Sequence, residues 1–486
     1  MEEGTSIWQL LGTFYEHSVF VYGTALLVLY AFLAIFSILA ISRFVRKNSY
    51  INYDHLVSSP LAPGISVIAP AFNEGLTIIS NVRSLLTLNY SEFEVIIIND
   101  GSTDDTLEQM IHEFELVEVE FAYNAKIKTQ PVRRIFRSTN PAYHQLLVVD
   151  KVNGKSKADA TNAGINAAAH KYFLCTDVDC ILDKNTLLKL IKPVMEEEDY
   201  RVIATGATLR IANSSEVEQG VVTRMRPPRK LLPRFQEVEY IRSFVLGKMG
   251  WSFLNSVPNV SGGLGLFDKE IAIKSGGYDH QSFGEDMELM FRMSRYAHDN
   301  KIKYAVRYIP LTLCWTEGPE TIKIFMRQRT RWARGLAQLM HAHMKMFLNP
   351  SYGRMGMIIM PYNFFFELLA PIVEFLGIIY YIVMTIMGLI NWKFAVVLLL
   401  FVYTYAIMIT TIAILWDQIT FRYYKTWREV FSLCITPFLE FILYHPLIVI
   451  FALRGYFFFL TGRKHTWGDM QRRGFKSAKK TSVAVG

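Results

Sequence analysis

The chain has 486 residues, of which 51% are hydrophobic, 14% aromatic and 19% charged. That apolar share excludes a disordered chain, and a charged share below the ~25% usual for soluble domains argues against a wholly soluble one. The 51 Lys and Arg against 43 Asp and Glu leave +8, too small and dispersed an excess to argue for nucleic acid; anionic lipid heads or anionic substrates would use it equally well.

In chain order, residues 1–50 hold a charge-free run, Val19–Ser42, long enough to cross ~30 Å of hydrocarbon. It is too long for a signal peptide, no basic segment precedes it and no small-residue cleavage site follows. Glu2 and Glu3 precede it, and Arg43, Arg46 and Lys47 follow. The positive-inside rule then puts the N-terminus outside and the next domain in the cytoplasm.

Residues 51–319 have the pattern of an α/β domain. Apolar runs at Ile65–Ala69, Val95–Ile98, Leu146–Val149 and Tyr172–Thr176 suggest buried parallel strands, and Asp104–Phe114 and Lys157–Ala169 have helical period. The alternation predicts a wound parallel sheet with ligands at the strands' carboxyl ends. The basic stretch Ala125–Arg137 is expected to be a surface excursion with a solvated charged face. Cys175, Cys180, Cys314 and Cys434 form no metal or disulfide pattern and are expected to be reduced thiols.

Residues 320–355 suit amphipathic interface helices, and 356–462 return to the membrane. Pro361–Ile390 and Phe394–Trp416 are spans; a third apolar region, Val430–Leu460, is interrupted by Pro437, Glu440, His445, Pro446 and Arg454. The basic tail, 463–486, is expected inside, yet three simple crossings would put it outside. A broken or re-entrant segment at His445-Pro446, or a split at Pro371, would restore the parity, and the sequence does not choose. Glu367, Glu374, Glu440 and His445 are costly in lipid and are expected to face protein or a polar passage.

The residues that could carry chemistry cluster at strand ends. The first strand runs into Pro70, Asn73 and Glu74; the next ends in Asn99-Asp100-Gly101. An Asp there can accept hydrogen bonds from a base or ribose, the Gly allows a tight turn, and Asp104 can cap the next helix. Such turns also carry these residues for structural reasons alone. Asp177-Val178-Asp179 follows an apolar strand, so one Asp can face the ribose while the other ligates a divalent cation on a diphosphate. Lys155 and Lys157 near a helix start can neutralise phosphate, or merely be exposed. Ser261-Gly262-Gly263 allows close backbone approach to a ligand. Gly284-Glu285-Asp286 opens an amphipathic helix, where a carboxylate can act as base or simply cap. Gln328, Arg331 and Trp332 can share one helix end, where Trp offers a flat face for a sugar and Arg a fork for phosphate; an interfacial Trp anchor with lipid-binding basic residues is the alternative.

Taken jointly and in order, Asn99-Asp100-Gly101, Asp177-x-Asp179, Gly284-Glu285-Asp286 and Gln328-x-x-Arg331-Trp332, framed by membrane spans, resemble the processive family-2 glycosyltransferases. These include cellulose, chitin, hyaluronan and poly-N-acetylglucosamine synthases. The resemblance implies a nucleotide-sugar-binding α/β fold of the glycosyltransferase A type fused to transmembrane helices. It implies Asp286 as catalytic base, with Pro70, Asn73, Glu74, Asp100, Lys157, Asp177 and Arg331 binding the donor. Asp179, with Asp177, would hold Mg²⁺ or Mn²⁺, and Trp332, Gln328 and Glu285 would bind the acceptor. The implied partners are a UDP-sugar of GlcNAc or Glc type, a growing polysaccharide, membrane lipids and accessory export subunits, with no nucleic acid, at the bacterial cytoplasmic membrane. Trp467-Gly468 with Arg472 loosely resembles an element of hyaluronan synthases. The Asn213–Phe235 segment, with Arg224, Arg226, Arg229, Lys230 and Arg234, and the basic stretch at Ala125–Arg137 lie outside the shared motifs. Non-processive transfer of one sugar to a lipid acceptor, or a non-catalytic export scaffold or transporter, are the competing readings.

Overall fold

The computed structural model describes residues 7–49, 62–218 and 220–462; the basic tail, with Trp467 and Arg472, lies outside the described residues. A ten-stranded sheet forms the core of the α/β domain. Its strands are β1 (Ile65–Ala71), β2 (Phe93–Asn99), β3 (Leu116–Glu118), β4 (Val132–Ser138), β5 (Leu146–Lys151), β6 (Tyr172–Thr176), β7 (Ile181–Leu182) and β8 (Arg201–Ile211), followed by a separate hairpin of β9 (Glu216–Glu218) and β10 (Val221–Arg224), then β11 (Leu264–Asp268) and β12 (Tyr304–Thr316). The order is β3-β4-β5-β2-β1-β6-β11-β8-β12-β7.

The centre, β5-β2-β1-β6, is parallel. Helices cover both faces there, so these strands are continuous apolar runs, such as Val95–Ile98, all fully buried. Beyond the centre the sheet is mixed: β11 runs antiparallel to β6 and β8, and β4 antiparallel to β5. Ala71 pairs with Asn99 and Asn99 with Asp150, so the loops after β1, β2 and β5 leave one edge together. The helix Lys157–Ala167 rides close on this sheet because its inner face is small: a Cβ on Gly164 would lie 2.4 Å from Ile68 Cγ2.

The basic stretch at Ala125–Arg137 is not simply an excursion. Its second half is β4, with Ile135 and Phe136 buried and Arg134 paired to Asp150 at 3.1 Å. Two adjacent apolar residues among arginines give no period to read, and pairing with β5 supplies what periodicity does not.

Among the described residues, four helical runs are long and apolar enough to cross a membrane: Gly12–Asn48, Met355–Ile386, Trp392–Phe421 and Trp427–Leu460. The run Met355–Ile386 continues through Pro371. The last run is interrupted by a π-helical turn, Glu440–Tyr444, and restarts at His445-Pro446, where the missing proline N–H is tolerated. Its second half packs along the helix Ile322–Ala342, with Ala337, Ala452 and Tyr456 buried together. The acids in these runs are matched: Glu374 meets His445 at 2.7 Å, Glu440 meets Arg242 at 2.8 Å, and Glu367 accepts from the Tyr362 hydroxyl.

One long helix joins the two regions. It is α-helical over Leu231–Ile241, π-helical over Arg242–Lys248 and α-helical over Met249–Phe253. Its Glu237 binds Arg210 of β8 at 2.9 Å, and Arg210 reaches on to Asp417 of the third apolar run. Arg210, Glu237 and Asp417 are at most 1% exposed. The basic residues after Asn213 mostly answer nearby acids: Arg224 pairs with Glu429, Arg226 with Glu216 and Lys230 with Glu320.

Candidate active site

The loops leaving the common sheet edge are stapled to one another. Asn73 takes a left-handed backbone (φ 55°), and its side-chain oxygen accepts from Thr103 N at 2.8 Å. Glu74 N donates to Thr106 Oγ1, and Asp104 accepts from both Gly75 N and Thr106 N. Pro70 is the penultimate residue of β1, opposite Ile98. Asn73 thus shapes this loop through a side chain already engaged within the protein.

Asp100 sits just past β2 and is 6% exposed. Its Oδ1 accepts from Lys151 Nζ at 2.6 Å and from Gly154 N at 2.9 Å. Lys151 is fully buried and also binds Asp159 at 2.6 Å. Burial raises the Asp100 pKa, while Lys151 and Gly154 pull the other way. Lys151 is a site residue that motif matching does not single out; the only signal was a charged Asp-Lys pair closing an apolar strand.

Lys157 crosses the cleft. Its Nζ pairs with Asp177 Oδ1 at 2.6 Å and donates to Gly262 O at 2.7 Å. Burial opposes its charge, but Asp177 and its neighbours Cys175 and Glu285 raise its pKa. One cation thereby ties together the Lys157–Ala167 helix, the Asp-x-Asp turn and the glycine loop before β11.

Asp177, Asp179 and Cys180 bring potential ligand atoms within 4.8 Å of one another. Cys180 is hydrogen-bonded to Cys314 and buried, both of which raise its pKa and keep it a thiol. The usable set is therefore two carboxylates, hard oxygen donors that fit Mg²⁺ or Mn²⁺ and not a thiophilic metal.

Gly262 and Gly263 stand between the acids. A Cβ on Gly263 would lie 3.7 Å from Asp177 Oδ2, and one on Gly262 would lie 3.5 Å from Asp286 Oδ2. The Asp-x-Asp turn and Asp286 thus flank two consecutive residues. Asp286 lies in the first turn of the helix Glu285–Asp299, whose N-cap, Gly284, provides no side-chain cap. Neither Glu285 nor Asp286 serves as the capping side chain here, and the helix dipole favours ionised carboxylates at this end.

Glu285 senses the whole cluster. Burial raises its pKa to about 7, Asp286 and Asp177 add to that, and Lys157 and Arg331 oppose it. On the sequence's expectation of a nucleoside diphosphate at this site, its ionised form opposes binding. The ratio of UDP affinity in Glu285→Gln to that in the native protein is therefore expected to rise a few-fold between about pH 6 and about pH 8, as calorimetry would show, since the phosphate's own titration cancels between the two proteins; a constant ratio would remove Glu285 from the diphosphate's surroundings.

The helix Ile322–Ala342 brings the last group. A Cβ on Gly335 would lie 2.5 Å from Gly284 N, so this helix touches the turn that presents Glu285 and Asp286. Trp332, one turn earlier, is 37% exposed. Gln328 Oε1 is buried and has no hydrogen-bond partner among the described residues. Lys248, from the π-helical segment, lies over the Phe244 ring at 4.6 Å, and burial lowers its pKa to about 8 against the attraction of Asp286. Neither Lys248 nor Gly335 stands out in the sequence, since both depend on which elements meet.

Residues 66–240 match the model of glycosyl transferase family 2, and residues 172–425 that of glycosyl transferase family group 2. A poly-β-1,6-N-acetyl-D-glucosamine synthase of Staphylococcus epidermidis is 30% identical over 276 residues, covering 56% of this chain and 54% of that protein. One from Staphylococcus aureus (strain COL) is 28% identical over 291 residues, covering 60% and 57%. The match thus spans little more than half the length of these relatives. A mannosyltransferase from Pyrobaculum calidifontis, solved with GDP-Man and Mn²⁺, aligns over 90% of this chain and all of its own, with a TM-score of 0.48 and 15% identity. The second family model alone covers more than half of the chain, and the protein belongs to glycosyl transferase family group 2: it is a glycosyltransferase whose α/β domain is joined to long apolar helices, resembling poly-β-1,6-N-acetylglucosamine synthases.

Proposed function

We propose that the protein is an integral membrane transferase that adds hexosyl units from a UDP-sugar to a growing β-linked polysaccharide and passes the product between its own helices. The observation that carries this is the placement of Asp177 and Asp286 on either side of Gly262 and Gly263. In this reading one acid serves the diphosphate and the other the acceptor, and the two glycines between them leave the space beside both acids free of side chains.

Asp100, held by Lys151, faces the uridine, and Lys157 and Arg331 neutralise the diphosphate. Asp177 and Asp179 would hold a divalent cation, Mg²⁺ or Mn²⁺, which when bound offsets charge on the leaving group. Asp286 takes the proton of the acceptor hydroxyl as that oxygen bonds to the anomeric carbon. The bond from that carbon to the diphosphate oxygen breaks, and UDP departs with the electron pair. A single base and no carboxylate nucleophile give inversion at that carbon. Trp332 supplies an apolar face for the acceptor ring and Gln328 a hydrogen-bond acceptor. The named activity of the staphylococcal relatives favours UDP-N-acetylglucosamine as donor. The helical region seats the protein in the bacterial cytoplasmic membrane, with the α/β domain on the cytoplasmic face.

The test is purified protein in nanodiscs with Mg²⁺ or Mn²⁺ and a panel of UDP-sugars, measuring UDP release and digesting any polymer with linkage-specific hydrolases. UDP release with UDP-N-acetylglucosamine and a hydrolase-sensitive polymer is expected. A product that stops after one sugar would refute processive elongation.

A further inference from the structure

The Gln-x-x-Arg-Trp stretch contains an arginine that the roles above leave unused. Arg329 is 7% exposed and lies three residues before Trp332 on the same helix. Its two terminal nitrogens each donate to a separate oxygen of Glu239, both at 2.6 Å, and one also donates to the Tyr444 hydroxyl at 2.9 Å. The Tyr444 hydroxyl in turn donates to Glu239. Burial disfavours the Glu239 carboxylate, yet Arg329 and Tyr444 hold its pKa below the ordinary range. This is a two-pronged planar pairing, and it fixes the tilt of the guanidinium plane as well as its position.

That plane lies against rings. The guanidinium carbon is 4.5 Å from the Trp332 ring centroid and 4.9 Å from that of Phe325. Phe325 is stacked on Tyr444 at 5.1 Å, and Tyr444 lies 5.1 Å from Phe235. The remaining guanidinium nitrogen, Nε, is buried without a partner. Both terminal nitrogens are thus engaged within the protein, and the guanidinium carbon sits over the indole.

We propose that Glu239 and Arg329 form a clamp that positions Trp332, with Arg329 covering one face of the indole so that the opposite face alone is presented to the acceptor sugar. The clamp rests on the reading of Trp332 as the acceptor's stacking surface. Stacking on a fixed indole saves the entropy of ordering it at each addition, and the cation over one face holds the ring against rotation. Arg329 and Glu239 are positioning residues, since neither touches substrate. Lysine at 329 would keep the charge and lose the plane.

The experiment uses the full-length protein in nanodiscs, with oligosaccharide primers cut from the polymer that the native protein makes. Arg329→Lys, and separately the neutral pair Arg329→Gln with Glu239→Gln, are assayed for UDP-sugar hydrolysis without primer and for primer extension. Both proteins should raise the primer KM about tenfold, while hydrolysis without primer and the donor KM stay within about twofold. In the Trp332→Ala protein, adding Arg329→Lys should change the primer KM no further. The neutral pair keeps a hydrogen-bonded contact where a lone charge change would disrupt folding, so loss of a folded protein in one variant leaves the other to decide. Native primer affinity in the neutral pair, equal loss of hydrolysis and extension, or a full additional effect in the Trp332→Ala protein would each overturn the clamp. If the native protein makes no polymer, the proposed function fails; if it elongates and the variants match it, the clamp alone fails.

Discussion

Replacing Asp286 by Asn is expected to lower sugar transfer about 10³-fold while leaving UDP affinity within about twofold. The amide keeps the size of the carboxylate but cannot accept the hydroxyl proton. Asp286 stands at the start of the Glu285–Asp299 helix and is not its N-cap, so exchanging it removes no capping bond. The groups assigned to the nucleotide, Asp100 with Lys151 and Lys157 with Asp177, are ion pairs to which Asp286 does not belong. Transfer would be followed as UDP release and polymer mass, and UDP binding by calorimetry. Undiminished elongation by the Asn protein would mean that another group takes the proton. A parallel loss of UDP binding would mean that Asp286 serves the donor instead.

Gly335→Ala is expected to reduce transfer about 10²-fold through displacement alone, for misplacing reacting groups by about 1 Å costs that much. The added methyl would lie 2.5 Å from Gly284 N and 2.9 Å from Gly284 Cα, and backbone cannot swing aside as a side-chain tip can. The helix cannot retreat either. On another side of it, Gly455 of the last apolar run is so close that a Cβ there would meet Thr330 O at 2.6 Å. The strain must move the turn holding Glu285 and Asp286. UDP affinity should hold within a few-fold, because Asp100 and Lys157 sit on other elements. A Gly335→Ala protein with native turnover would show that this contact does not set the distance between base and acceptor.

Much of the α/β core is legible because its strands are apolar on both faces. Tyr172–Thr176 is a strand with the bounds the apolar run suggests, and the Asp-x-Asp turn follows from where it stops. The flanking strands carry no such signal. β8 and β12 place Thr, Gly, Arg and Pro between their apolar residues, so periodicity does not mark them. Their place in the sheet comes from pairing between distant segments. The candidate site divides in the same way. Asp177, Asp179 and Asp286 are marked by local motifs. Lys151 and the Glu239–Arg329 pair are not, since an ion pair across 90 positions has no local pattern. The π-helical turns in the apolar runs also escape a reading based on hydropathy, which is blind to which backbone bond a carbonyl accepts.

The Leu231–Phe253 helix sets a limit on dissection. Through Glu237, Glu239 and Arg242 it closes on Arg210, Arg329 and Glu440, and Arg210 reaches on to Asp417. A fragment truncated before Met355 would lose Asp417, Tyr424, Glu440 and Tyr444 together. Stranding a desolvated charge is destabilising by about 3–5 kcal/mol, against a net domain stability of about 5–15 kcal/mol. The α/β half and the apolar helical half are therefore expected to melt as one cooperative unit, as calorimetry would show, and efforts to obtain the α/β half as a detergent-free soluble fragment should begin by neutralising Arg242, which loses Glu440, while leaving Arg210 to its remaining partner Glu237.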